Sequence, residues 1–137
     1  MTKREAMEIT HTENQLMELG IEREDCDKLR RISMTLRRWF ELECGTDGGC
    51  IERDESTGRP YWHSAMNGHA LKDSRTYVAD REAGAKRRLA AIMAKYPTLT
   101  PYIQGDPRGC ALYILTPEHL KGDHAIDSIY NRGIAIG

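Results

Sequence analysis

The segment from Glu24 to Cys44 constrains the fold more than any other part of the chain. Leu29, Ile32, Leu36, Trp39, Phe40 and Glu43 recur at steps of three and four, the spacing of one helix face. Acidic Glu22, Glu24, Asp25 and Asp27 crowd its start, where the positive end of a helix dipole favours them, and Gly45 supplies a stop. An apolar stripe of this length needs a core to lie against, so the other elements must be arranged around it.

A second helix is predicted from an Asp80 cap to Lys95, with Ala85, Leu89, Ile92, Met93 and Tyr96 inward and Pro97 ending it. Residues 13–19 read as a short helix closed by Gly20. Gly49–Asp54 and Pro60–His63 flank a polar loop containing Gly58, a hairpin signal. Further strands are expected at Arg75–Val78, around Tyr102, at Cys110–Leu115 and at Ile134–Ile136, with loops at Ala65–Ser74 and Pro117–Asp123. The expected class is α+β, an antiparallel sheet of four to six strands with two main helices. Residues 1–12 read as a loose tail and residues 13–137 as a single domain.

Charged residues make up 30% of the 137 and the net charge is −1, which excludes the strongly basic body of a bulk nucleic-acid binder. No apolar run approaches the roughly 18 residues of a membrane span, and the first residues lack a signal-peptide core. A cytoplasmic protein with reduced thiols is expected. Cys44, Cys50, His63 and His69 could suggest zinc, but no pair has the two-to-four spacing of a knuckle, so no metal or other cofactor is expected. Cys26 and Cys110 read as small buried residues.

The run Tyr102–Ile114 joins two strand-like pieces through Asp106-Pro107-Arg108-Gly109, a turn stiff enough to present Arg108 to a phosphate or carboxylate. Asn131-Arg132-Gly133 repeats the theme before the last strand, making Arg132 a second candidate anion ligand. On the first helix, Arg30 and Arg37 are seven apart, as are Arg31 and Arg38, giving two stripes suited to phosphates or simply paired with Glu41 and Glu43. Lys86, Arg87 and Arg88 follow on the second, where Gly84 leaves room for a close approach. Tyr61, Trp62, Tyr96, Tyr102, Tyr113 and Tyr130 offer flat surfaces for a base. No phosphate loop, His-Glu-x-x-His or Gly-x-Ser-x-Gly element is present, and no enzyme is expected.

Five pieces carry a resemblance: Ile51–Asp54, Asp80–Ala85, Arg88–Met93, Asp106–Ile114 and Asn131–Ala135. With its Asp-Pro-Arg-Gly-x-Ala-Leu element, the chain resembles a family of small phage and prophage proteins, and that group is similar to the Thoeris anti-defence sponges. The resemblance implies an α+β protein that acts in the cytoplasm of an infected host cell and forms a homodimer or higher homo-oligomer. It would sequester a cyclic ADP-ribose isomer or cyclic oligonucleotide without cleaving it. Arginines would meet phosphates and aromatics the adenine. The implied ligand set is Arg108, Arg132, Asp106, Asn131, Arg30, Arg37, Arg38, Tyr102 and Tyr96, the helix arginines and tyrosines by residue type. Two alternatives remain open: a protein-binding inhibitor of a host defence complex, anti-CRISPR-like, and a nucleic-acid accessory protein.

Overall fold

The structure, a computed structural model, describes residues 11–45, 48–64, 75–105, 110–121 and 133–137. Helix α1 (His11–Glu18) buries Leu16 and is closed by Gly20 at φ +93°, a conformation that only glycine adopts without strain. Gly20 N donates to Met17 O and Ile21 N to Leu16 O, satisfying the last carbonyls. Helix α2 (Arg23–Glu43) then runs through the periodic segment and buries Cys26, Leu29, Ile32, Leu36, Trp39 and Phe40. Glu43 departs from the expected stripe and is exposed, while Leu42 packs on the core in that last turn; partial burial, then the nearby Glu82 charge, raises the Glu43 carboxyl's pKa.

Strands β1 (Gly49–Arg53) and β2 (Pro60–Ser64) form the expected hairpin, with β3 (Thr76–Tyr77) added at the far edge of β2. Asp54 terminates β1 and gathers the loop. Its carboxylate accepts from the Tyr77 hydroxyl at 2.6 Å, the Ser56 hydroxyl at 2.7 Å and Arg75 at 3.0 Å. The bond from Tyr77 foremost, then those from Ser56, hold its carboxyl well below the usual range.

Helix α3 (Arg81–Met93) begins where Asp80 accepts from Ala83 N, and Arg53 of β1 grips the same carboxylate at 2.8 and 3.0 Å. Its far end is tied to the start of α2. The Tyr96 hydroxyl donates to Asp25 Oδ2 at 2.6 Å and accepts from Glu22 N, and Lys95 pairs with the same carboxylate. Asp25 is fully buried; burial alone would raise its pKa, but the hydrogen bonds from Lys95 and Tyr96 outweigh it and lower the pKa. Ala85, Leu89, Ile92 and Met93 face inward as expected.

Strands β4 (Thr100–Ile103), β5 (Leu112–Leu115) and β6 (Ile134–Ile136) make a second antiparallel sheet with β5 central. Ser33 of α2 donates to Ile136 O at 2.5 Å, fastening helix to sheet. The α+β class and the two main helices are as expected, while the six described strands divide into two three-stranded sheets, with α3 between them in the chain. The expected loop after β5 instead starts with one helical turn, α4 (Pro117–Leu120). Thr116 and His119 cap it reciprocally, and Pro117 has the φ that a first helical position needs. One core unites Leu16, Leu29, Leu36, Ile51, Leu89, Leu112, Ile114 and Ile136 from three helices and both sheets. Among the described residues no helix is long and apolar enough to cross a membrane.

Candidate functional site

Side by side, α2 and α3 leave a groove of about 510 Å³ along their outer seam. Met34, Thr35, Arg38, Trp39 and Leu42 line it from α2, and Arg81 and Arg88 from α3. The volume lies within the range of small-molecule sites. Trp39, 2% exposed, forms part of the floor, and Arg53 lies over its ring from the β1 side at 5.7 Å. Met34 stands 60% exposed at the rim.

The charges along this seam differ in their engagement. Arg30 and Arg31 both reach Asp27, at 3.3 and 3.1 Å, and Arg37 and Arg38 both reach Glu41, at 3.5 and 3.4 Å. On α3 the acids are occupied elsewhere: Asp80 by Arg53, and Glu82 by Arg53 at 3.5 Å and Lys86 at 3.4 Å. The bonds from Arg53, the largest influence, hold the Asp80 carboxyl below its usual range. Among the described residues neither Arg81 nor Arg88 has an ion-pair partner. Gly84 lies on the same helix, and a Cβ there would meet the Arg88 guanidinium at 3.6 Å and that of Arg87 at 3.8 Å, ordinary contact. Glycine at this position is therefore not forced by a neighbouring backbone.

Of the arginines singled out in the sequence, Arg38 and Arg88 line the groove; Arg30 and Arg37 do not. Tyr96 is engaged in the α2–α3 tie, its hydroxyl held by Asp25 and Glu22. Tyr102 pairs across β4 and β5 with Tyr113, ring centroids 6.3 Å apart, on the second sheet. Asp106, Arg108, Asn131 and Arg132 lie outside the described residues, as does the expected loop at Ala65–Ser74. Arg81 was missed because Asp80-Arg81-Glu82 reads as a capped helix start. The usable signal was its seven-residue step to Arg88, which repeats the step between Arg31 and Arg38.

A second constellation occupies one face of the β1–β2 hairpin. His63 Nε2 lies 3.0 Å from Cys50 Sγ and 3.1 Å from Glu52 Oε1, and the Tyr61 hydroxyl donates to Glu52 Oε2 at 3.0 Å. Burial, then the nearby Glu52 charge, pushes the Cys50 thiol above its ordinary pKa, opposite to the shift that activates a nucleophilic cysteine. The four thiols are free; Cys26 is buried as expected, its pKa pushed up to about 11 mainly by burial, and Cys44 is exposed.

No family model, no curated protein and no solved structure matches this chain.

Proposed function

We propose that this chain binds a small phosphate-bearing nucleotide in the α2–α3 groove and holds it without cleaving it, as a phage anti-defence sponge would. One observation carries the reading: Arg81 and Arg88, with no ion-pair partner among the described residues, line the same groove as Arg38. Guanidinium groups on two helices can grip a pyrophosphate from two sides, each through paired N–H donors. Met34 and Leu42, above the nearly buried Trp39, offer an apolar surface for a base or ribose. A near-neutral protein with a local cluster of cations suits a small anion better than a long polyanion. The sequence resemblance supports the ligand class and the oligomeric habit; roles for Arg108 and Arg132 rest on that resemblance and on the turn chemistry of the sequence. In this reading the groove needs no general base.

Isothermal titration against cyclic ADP-ribose isomers and cyclic di- and trinucleotides tests the proposal, followed by heat release and chromatography of the bound ligand. The expected result is saturable binding, recovery of intact ligand, and a loss of roughly tenfold or more in affinity in Arg81→Ala or Arg88→Ala, the size of a charge-assisted hydrogen bond. Absence of binding across the panel, or recovery of a converted ligand, would overturn it. If reversing Arg30 and Arg31 abolished biological activity while groove variants kept it, a protein-binding inhibitor would be the better reading.

A further inference from the structure

We propose that Cys50, Glu52 and His63 form a binding site for a divalent transition-metal ion of the zinc type, separate from the arginine groove. The hairpin register builds it. Cys50 and Glu52 are two residues apart on β1 and so share a face, and pairing sets His63 opposite Cys50 and Tyr61 opposite Glu52. The thiol sulfur, one imidazole nitrogen and one carboxylate oxygen all lie within 4.8 Å of one another. Tetrahedral zinc, with bonds of about 2.0–2.3 Å, spaces such donors about 3.3–3.7 Å apart. The observed contacts of 3.0 and 3.1 Å need only a few tenths of an ångström of opening.

The convergence on a single nitrogen is the informative point. His63 Nε2 has at most one proton, yet both a thiol and a carboxylate approach it at hydrogen-bond distance. A cation between the three satisfies all of them together. The surrounding groups are arranged as the supporting partners of a metal site are. His63 Nδ1 lies 3.3 Å from Ser64 O, so an Nδ1–H donated there leaves the Nε2 lone pair for the ion. Tyr61 holds Glu52 Oε2, which turns Oε1 toward the site. Gly49 stands immediately before Cys50, and a Cβ there would come within 2.4 Å of His63 O and 2.6 Å of the Trp62 ring. The two strands can therefore meet this closely only with glycine at that position.

The donor chemistry selects the ion. Thiolate and carboxylate together neutralise a dication, and the sulfur discriminates against magnesium and calcium. On binding, the Cys50 S–H bond breaks, a sulfur–metal bond forms and the proton leaves to solvent; nothing is oxidised or reduced. Three protein donors leave a fourth position for water or a ligand atom, the pattern of an open rather than a closed zinc site.

Cobalt titration of the chelator-treated full chain under a non-thiol reductant tests this site. The expected result is a thiolate-to-cobalt charge-transfer band with tetrahedral ligand-field bands, saturating at one equivalent and displaced by zinc. Cys50→Ser and His63→Ala should abolish the signal and Glu52→Gln weaken binding roughly tenfold or more, the range of a lost metal partner. Cys44→Ser and Cys110→Ser should leave it unchanged, with circular dichroism confirming that each variant is folded. X-ray absorption of the wild-type zinc complex needs no variant, and it should find one sulfur among lighter neighbours. No charge-transfer band in the wild type, a band that survives Cys50→Ser, or two sulfurs at the metal would overturn the assignment.

Discussion

Helices α2 and α3 both carry runs of arginine, but the runs are not equivalent. On α2 each of Arg30, Arg31, Arg37 and Arg38 has an acid three or four residues away, and each reaches it. On α3 the nearby acids are taken by Arg53 and Lys86, and Arg81 and Arg88 are left to line the groove. Arginine count alone therefore does not locate an anion site. What counts for the proposed site is the positive charge left after local pairing; of the paired α2 arginines Arg38 alone lines the groove, and exposed pairs of this kind contribute little to stability.

The largest effect that separates the helices is charge reversal. Arg81→Glu combined with Arg88→Glu should lower nucleotide affinity about a hundredfold or more, since two charge-assisted contacts are lost and repulsion is added. Arg30→Glu combined with Arg31→Glu should change it by no more than about threefold. Titration calorimetry on both pairs measures the contrast, and equal losses would erase it.

Next in size is the tie that sets the two helices side by side. Tyr96→Phe removes the hydroxyl that bridges Asp25 and Glu22 N and leaves the buried Asp25 with fewer donors. It should cost roughly 1–3 kcal/mol in a denaturant melt. Binding measured well below the melting temperature should persist, because Tyr96 does not line the groove. Loss of binding with unchanged stability would instead make Tyr96 a ligand residue.

Acid should weaken the frame around the groove. Asp25, Asp54 and Asp80 all have pKa values lowered in the folded chain. Their stabilisation is complete above the unfolded carboxylate value of about 3.9 and is lost as pH falls through the lower folded values. Urea midpoints should therefore drop steadily below about pH 4–5. Asp25→Asn and Asp80→Asn should each make that drop shallower, and a flat profile would show that these carboxylates do not support the fold.

The smallest effect is at Gly84. Alanine should stabilise α3 by up to about 1 kcal/mol, since its Cβ meets the arginines only at ordinary contact distance. Thermal melts measure the gain. A destabilised variant would mean that Arg88 cannot adjust.

Much of this frame was legible in the residues themselves. The stripes of α2 and α3 follow from 3.6-residue periodicity, and Asp80 and Gly20 mark helix ends by chemistry that works locally. Glu43 was misplaced because Leu42, not Glu43, packs on the core in the last turn of the helix. The α4 turn carried a readable signal in Thr116-Pro117 but lacked the Glu or Gln of the usual capping box, with His119 taking that role. The site features were harder to see. Cys50 and His63 are thirteen residues apart, and only strand register brings them together. The groove depends on which helix faces meet, which no single stretch of sequence contains, although the Arg81 to Arg88 step pointed toward it.

The central claim is that the α2–α3 groove is where phosphate is held. It is tested most directly by following the arginine Nε–H resonances of the full chain during a titration with inorganic pyrophosphate, each resonance assigned by single Arg→Lys substitution. The account predicts saturable shifts at Arg38, Arg81 and Arg88, with Arg30 and Arg31 nearly still. Shifts confined to Arg108 and Arg132, with the three groove arginines silent, would contradict it and move the anion site to the turns.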